Sequence, residues 1–258
     1  MSVLGPRYYF GVYHWRRRFR SLALAAVAIA VAAVVGSRTR SRSRRAAASL
    51  VASVAAVRGF RTLRQLVGPT PWSLERAKYD ALASRLPLDR ADRVLDVGCG
   101  TGRSLVGIAP HVPDGTDVVG LDVFDDRVIL GNGPRLARRN ADRAGIDVEP
   151  VAGDAATLPL RDSSVDVATA CRVLHDLPAS SAEDALSELR RVCTADATVG
   201  VLELPLVPDD VAGDPDPEAY WVDRVLEAGF EIETLERLEL AGRTEPYIVI
   251  VARPNTGR

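Results

Sequence analysis

Acid is missing from the first 74 residues: no Asp or Glu precedes Glu75, against thirteen arginines. The rest of the 258-residue chain holds 20 basic and 34 acidic residues, so a formal net charge of −1 conceals two regions of opposite character. A chain this long is one large domain or a domain with an appendage. The charge break favours the second and separates 1–68, a basic N-terminal region, from 69–258. Cysteine is scarce too. Cys99, Cys171 and Cys193 lack metal-ligand spacing, which excludes a structural zinc site. One thiol per element suits core packing in a reducing compartment. Lysine is nearly absent, and the acidic region is rich in Ala, Val and Asp. That bias resembles proteins of extreme halophiles, although a high-GC genome gives the same Arg and Ala excess.

The basic region contains the longest apolar run. Residues 21–36 (SLALAAVAIAVAAVVG) are uninterrupted, with Arg16-Arg17-Arg18-Phe19-Arg20 before them and a Ser/Arg run at 37–45 after. Sixteen helical residues reach about 24 Å, a little short of the ~30 Å hydrocarbon core. Arginine stems, with Tyr13 and Trp15 at the interface, make up the difference. A second stretch, 46–57, is too short to cross alone and reads as an interfacial or packed helix. A two-span hairpin is its rival, and topology stays open because each arrangement leaves an arginine cluster outside. A twin-arginine export signal is a weaker alternative, since no convincing small-x-small cleavage site follows the apolar run.

The densest chemical signal follows the charge break. Val94-Leu95-Asp96-Val97 is an apolar strand that runs into Gly98-Cys99-Gly100-Thr101-Gly102 and then a helical pattern. Such a turn brings backbone N–H groups close to a ligand. Its G-x-G-x-G spacing differs from the dinucleotide fingerprint. Asp96 would crowd a pyrophosphate but suits an amino-acid ammonium, directly or through water. Two more strand-terminal acids follow: Asp122 after Val118-Val119-Gly120-Leu121, placed for ribose hydroxyls, and Asp154 after Gly153, placed for an adenine amino group. Together they predict S-adenosylmethionine (SAM) as cofactor; the bland alternative is that Asp122 and Asp154 cap loops.

Residues 73–253 resemble a class I SAM-dependent methyltransferase of the small-molecule type. The resemblance rests on Gly153-Asp154-Ala155-Ala156-Thr157-Leu158-Pro159-Leu160, on Asp162–Val167, and on Val173-Leu174-His175-Asp176-Leu177, around the third and fourth strands. It implies a SAM site built from Asp96, Gly98, Cys99, Gly100, Gly102, Asp122, Val123, Asn132, Asp154, Ala155, Cys171 and Arg172. One departure is the long stretch 123–133 after Asp122, which resembles a subgroup with an N-terminal membrane segment and an Asn near the ribose.

Alternating patterns predict an α/β fold: a doubly wound, mostly parallel seven-stranded sheet, Rossmann-like, preceded by the helical membrane-type region. Strands fall near 93–97, 118–121, 148–151, 165–170, 198–203, 231–236 and 247–251, and the resemblance implies that the last is antiparallel. Helices fall near 74–86 with Ser73 as N-cap, 103–109, 134–144, 182–192 and 218–228, the last stopped by Gly229. Residues 205–217, rich in Pro and Asp, read as an acceptor lid or a plain linker.

Methyl transfer needs chiefly positioning, plus a base if the acceptor must lose a proton. His175 is the candidate base, with a packing or cofactor-contacting imidazole as its alternative. Arg172 suits an anionic acceptor or the SAM carboxylate, and a surface ion pair equally. The acceptor classes are a lipid-soluble small molecule, matching a membrane-anchored enzyme with a cytoplasmic catalytic domain, and RNA, matching the basic arm. Against RNA, the arginines flank apolar runs, and Ala170-Cys171-Arg172-Val173 stands where base-amino methyltransferases carry an Asn/Asp-Pro-Pro-aromatic signature. A non-catalytic SAM-binding protein is a third class.

Overall fold

The computed structural model describes residues 7–67 and 70–256. It divides into two compact units: Met1–Ser73 with Asp125–Asn132, and Leu74–Phe124 with Gly133–Arg258. The expected boundary at 68/69 lies outside the described residues.

The first unit is built on two helices, α1 (Trp15–Arg38) and α2 (Arg42–Val67), joined by a three-residue turn. They pack antiparallel along a seam of small residues. Ala25 and Ala32 of α1 and Ala48 and Ala55 of α2 are buried, each pair seven residues apart. A Cβ added to Gly59 would lie 3.4 Å from that of Ala25. Large side chains off the seam are exposed: Val27, Val31, Val57, Phe60 and Leu63. Small residues inside and large apolar ones outside is how helices pair where no hydrophobic force drives them together. Both helices are long and apolar enough to cross a membrane. The twelve apolar residues of 46–57 thus belong to a 26-residue helix, because the flanking arginines are good helix formers.

The long stretch after the second strand completes this unit. Ile129 forms an antiparallel bridge with Tyr13. Leu130 N–H donates to the Val12 carbonyl at 3.0 Å, His14 N–H to Val128 at 2.6 Å, and Trp15 Nε1 to Asp126 at 2.7 Å.

The second unit is a seven-stranded sheet in the order β3-β2-β1-β4-β5-β7-β6. Its strands are β1 (Arg93–Val97), β2 (Asp117–Asp122), β3 (Glu149–Ala152), β4 (Val165–Cys171), β5 (Cys193–Glu203), β6 (Phe230–Leu238) and β7 (Tyr247–Pro254). Strands β1 to β5 pair in parallel, and β7 runs antiparallel to both β5 and β6. Helix α3 (Arg76–Ala83) precedes β1, and the helices between strands are α4 (Arg103–Ile108), α5 (Pro134–Ala144), α6 (Ala179–Val192) and α7 (Pro217–Glu227). Buried aliphatic runs such as Val94, Leu95 and Val97 explain the parallel core, which is covered on both faces. Because the order reverses between β1 and β4, a crevice opens outside their carboxyl ends, where ligands of such sheets bind.

Two sequence readings need correction. Ser73 does not cap α3: its N–H and Oγ both bond the Thr70 carbonyl at 2.9 Å, closing a turn. The helix begins only at Arg76, after Glu75. Gly229 does end α7, at φ +86°, with its N–H on the Leu226 carbonyl at 3.0 Å.

Candidate active site

The turn after β1 depends on left-handed backbone. Gly98, Gly100 and Gly102 have φ of +73°, +54° and +81°. At Gly98 a Cβ would also fall 2.4 Å from Val173 Cγ2, so no other residue fits. The Gly98 and Cys99 N–H groups bond the Leu121 carbonyl at 2.8 and 3.0 Å, tying the turn to β2.

Asp122 joins the two walls. One carboxylate oxygen accepts the Gly100 N–H at 3.0 Å, the other the Phe124 N–H at 2.6 Å. Each oxygen has a second lone pair, and the side chain is only half-buried, so ribose hydroxyls can still be accepted. Asp96 differs from the open acceptor expected. It is fully buried, Ser104 Oγ donates to one oxygen, and Thr169 Oγ1 donates to the other at 2.7 Å. Burial raises its pKa to about 6 despite these bonds. It braces the turn from below through these two bonds.

The remaining expected residues separate. Asp154 is exposed at the end of β3, and its Oδ1 caps the turn through Ala156 N–H at 3.0 Å. Ala155 is core, and Val123 is exposed. Cys99 and Cys171 are buried thiols whose pKa burial pushes well up, so they are unreactive. Arg172 follows β4 with a left-handed φ of +59°, its N–H on the Leu202 carbonyl at 2.7 Å. Asn132 belongs to the first unit, where its N–H bonds the Ile129 carbonyl at 3.0 Å.

At the ends of β4 and β5 lies a pairing that sequence reading missed. Glu203 is fully buried. One oxygen accepts the Val173 and Leu174 N–H groups at 2.9 and 2.8 Å, and the other meets His175 Nδ1. With a carboxylate there, Nδ1 carries the proton and Nε2 is the basic nitrogen. Burial lowers the His175 pKa, but the Glu203 hydrogen bond and charge outweigh it and leave the pKa above its ordinary value. Beside this pair is a cavity of about 470 Å³, lined also by Asp176, Leu177, Leu206 and Val207. The segment at 205–217 therefore supplies part of the cavity wall.

A second unforeseen group is Lys78, buried on α3. Its Nζ reaches Tyr247 Oη at 2.9 Å and Glu75 Oε2 at 3.1 Å. Burial, then repulsion from Arg172, brings its pKa down to about 8.

A left-handed glycine turn with a half-buried acid beside it fits a nucleoside cofactor with an amino-acid tail. A family model described as "Methyltransferase domain" matches residues 94–196. Residues 94–196 of this chain are thus similar to a methyltransferase domain. Demethylmenaquinone methyltransferase of Lactobacillus johnsonii is 31% identical over 46% of this chain and 46% of its own. The 27-O-demethylrifamycin SV methyltransferase of Amycolatopsis mediterranei is 30% identical over 58% of this chain and 50% of its own. This chain thus spans about half the length of the curated relatives it matches. Among solved structures, the [4+2]-cyclase SpnF superposes with a TM-score of 0.56 at 22% identity, covering 70% of this chain and 82% of that one. A cyclase on this scaffold shows that the methyltransferase fold alone does not fix the chemistry.

Proposed function

We propose that the chain transfers a methyl group from SAM to a small, lipid-soluble acceptor, and that the α1–α2 hairpin anchors it in a membrane with the catalytic domain on the cytoplasmic side. The observation that carries the reading is the His175–Glu203 pair beside an open cleft at the carboxyl edge of a SAM-type sheet. SAM, when bound, supplies an electrophilic methyl on a sulfonium. In this reading Gly98, Gly100, Gly102 and Asp122 hold the cofactor and Asp96 keeps the turn rigid. His175 Nε2 takes the proton that the acceptor loses as its nucleophilic atom gains the methyl, and Glu203 stabilises the imidazolium. Relatives named for a menaquinone precursor and a rifamycin support a small-molecule acceptor.

Full-length protein incubated with methyl-labelled SAM and cell extracts is expected to put label into the lipid fraction. Label in ribosomal RNA instead would overturn the acceptor class. The same protein is expected to sediment with membranes and to stay there in high salt, because both exposed helix faces are apolar. Release by salt alone would make the arginines an electrostatic tether and refute insertion.

A further inference from the structure

Between α1 and α2, at the end farthest from their turn, lies a cleft of about 1,030 Å³. Its inner half is apolar, walled by Leu24 and Ala28 of α1 and Val51 and Val54 of α2. Its outer half is lined by Arg17, Arg20, Arg58 and Arg61. Among the arginines, Ser21 Oγ and Thr62 Oγ1 meet at 3.2 Å and add hydroxyls to the lining. Arg18 lies here too, its guanidinium committed to the Gln65 carbonyl near the end of α2 at 2.8 Å. Among the described residues, none of the four outer guanidiniums makes an ion pair; the nearby acid Asp126 faces Arg16, at 3.6 Å.

We propose that this cleft is a binding site for one anionic phospholipid, with its phosphodiester held by Arg17, Arg20, Arg58 and Arg61 and its acyl chains laid along the apolar half. The cleft matches the lipid in kind: guanidiniums and hydroxyls gather toward one end of it and hydrocarbon toward the other. Guanidinium forks suit phosphate oxygens because two parallel N–H groups meet two oxygens. Four unpaired cations repel one another across the helix pair, and an anion between them removes that repulsion. A zwitterionic headgroup would bring its own ammonium into the arginines, so selectivity for net negative lipid follows. A nucleic-acid strand would leave the apolar half unfilled.

The site rests on the membrane reading above but needs no methyl transfer, and its test is separate from sedimentation. Full-length protein in micelles of an uncharged detergent is titrated with fluorescent phosphatidylglycerol. Expected is saturable binding of one lipid per chain, displaced by unlabelled phosphatidylglycerol and not by phosphatidylcholine. Arg58→Gln with Arg61→Gln should weaken it at least tenfold, and Arg17→Gln alone measurably. Glutamine keeps the helix propensity, and circular dichroism checks it. Arg42→Gln with Arg44→Gln removes the same charge at the other end of the hairpin and should change affinity less than twofold. Equal losses from the two pairs would mean diffuse attraction and overturn the site, as would equal competition by phosphatidylcholine.

Discussion

Replacing His175 with alanine is expected to lower kcat by about 10²-fold or more while leaving SAM affinity within twofold. The expectation follows from the buried Glu203, which fixes the ring through Nδ1 and leaves Nε2 as base. Nε2 must be unprotonated to act, so the rate falls as pH drops through the His175 pKa in the folded enzyme. Because that pKa lies above 6.5, the acid limb of the kcat profile should also lie above 6.5. Glu203→Gln keeps an acceptor for Nδ1–H but removes the charge, and should move the limb to lower pH. A purely structural Glu203 would lower activity at every pH without moving the limb. A loss of SAM affinity as large as the loss of rate would make His175 a cofactor contact.

Asp122→Ala is expected to weaken SAM and its demethylated product by more than tenfold in calorimetry. Two effects act together. Ribose hydroxyls lose a charged acceptor worth about 1.5–3 kcal/mol, and the Gly100 N–H loses the bond that holds the glycine turn against β2. Asp122→Asn separates them: an amide oxygen still accepts from one N–H, so the turn is kept in part while the charge is gone. Intermediate affinity is therefore expected for Asn. Wild-type affinity in both variants would remove Asp122 from the site.

The glycine turn was legible because strand and turn are contiguous: a continuous buried run, Val94 to Val97, ends at glycines with φ > 0. One strand after Asp122, Asp154 has the same local context, and its Oδ1 accepts the Ala156 N–H just as Asp122 Oδ1 accepts that of Phe124, a bond short acids make wherever a turn follows. Glu203 was invisible in the sequence. It lies 28 residues from His175, and only the parallel pairing of β4 with β5, Cys171 opposite Leu202, brings their ends together. Lys78 and Tyr247 are 169 residues apart, joined by helix-on-sheet packing that no period encodes. In the first unit, an apolar run of twelve underestimated α2, because exposed arginines carry no hydrophobic signal yet propagate a helix well.

The bridge from Tyr13 to Ile129 has a consequence for synthesis on the ribosome. The two partners are more than a hundred residues apart, and translation at roughly 5–20 residues per second separates their emergence by about 6–23 s. The hairpin helices are local and fold in microseconds once free. Their unit nevertheless waits, one strand short, until β1, β2 and the intervening helix have been made. The earlier-made partner is thus among the later parts to be finished, and an insertion factor or chaperone has seconds in which to hold it.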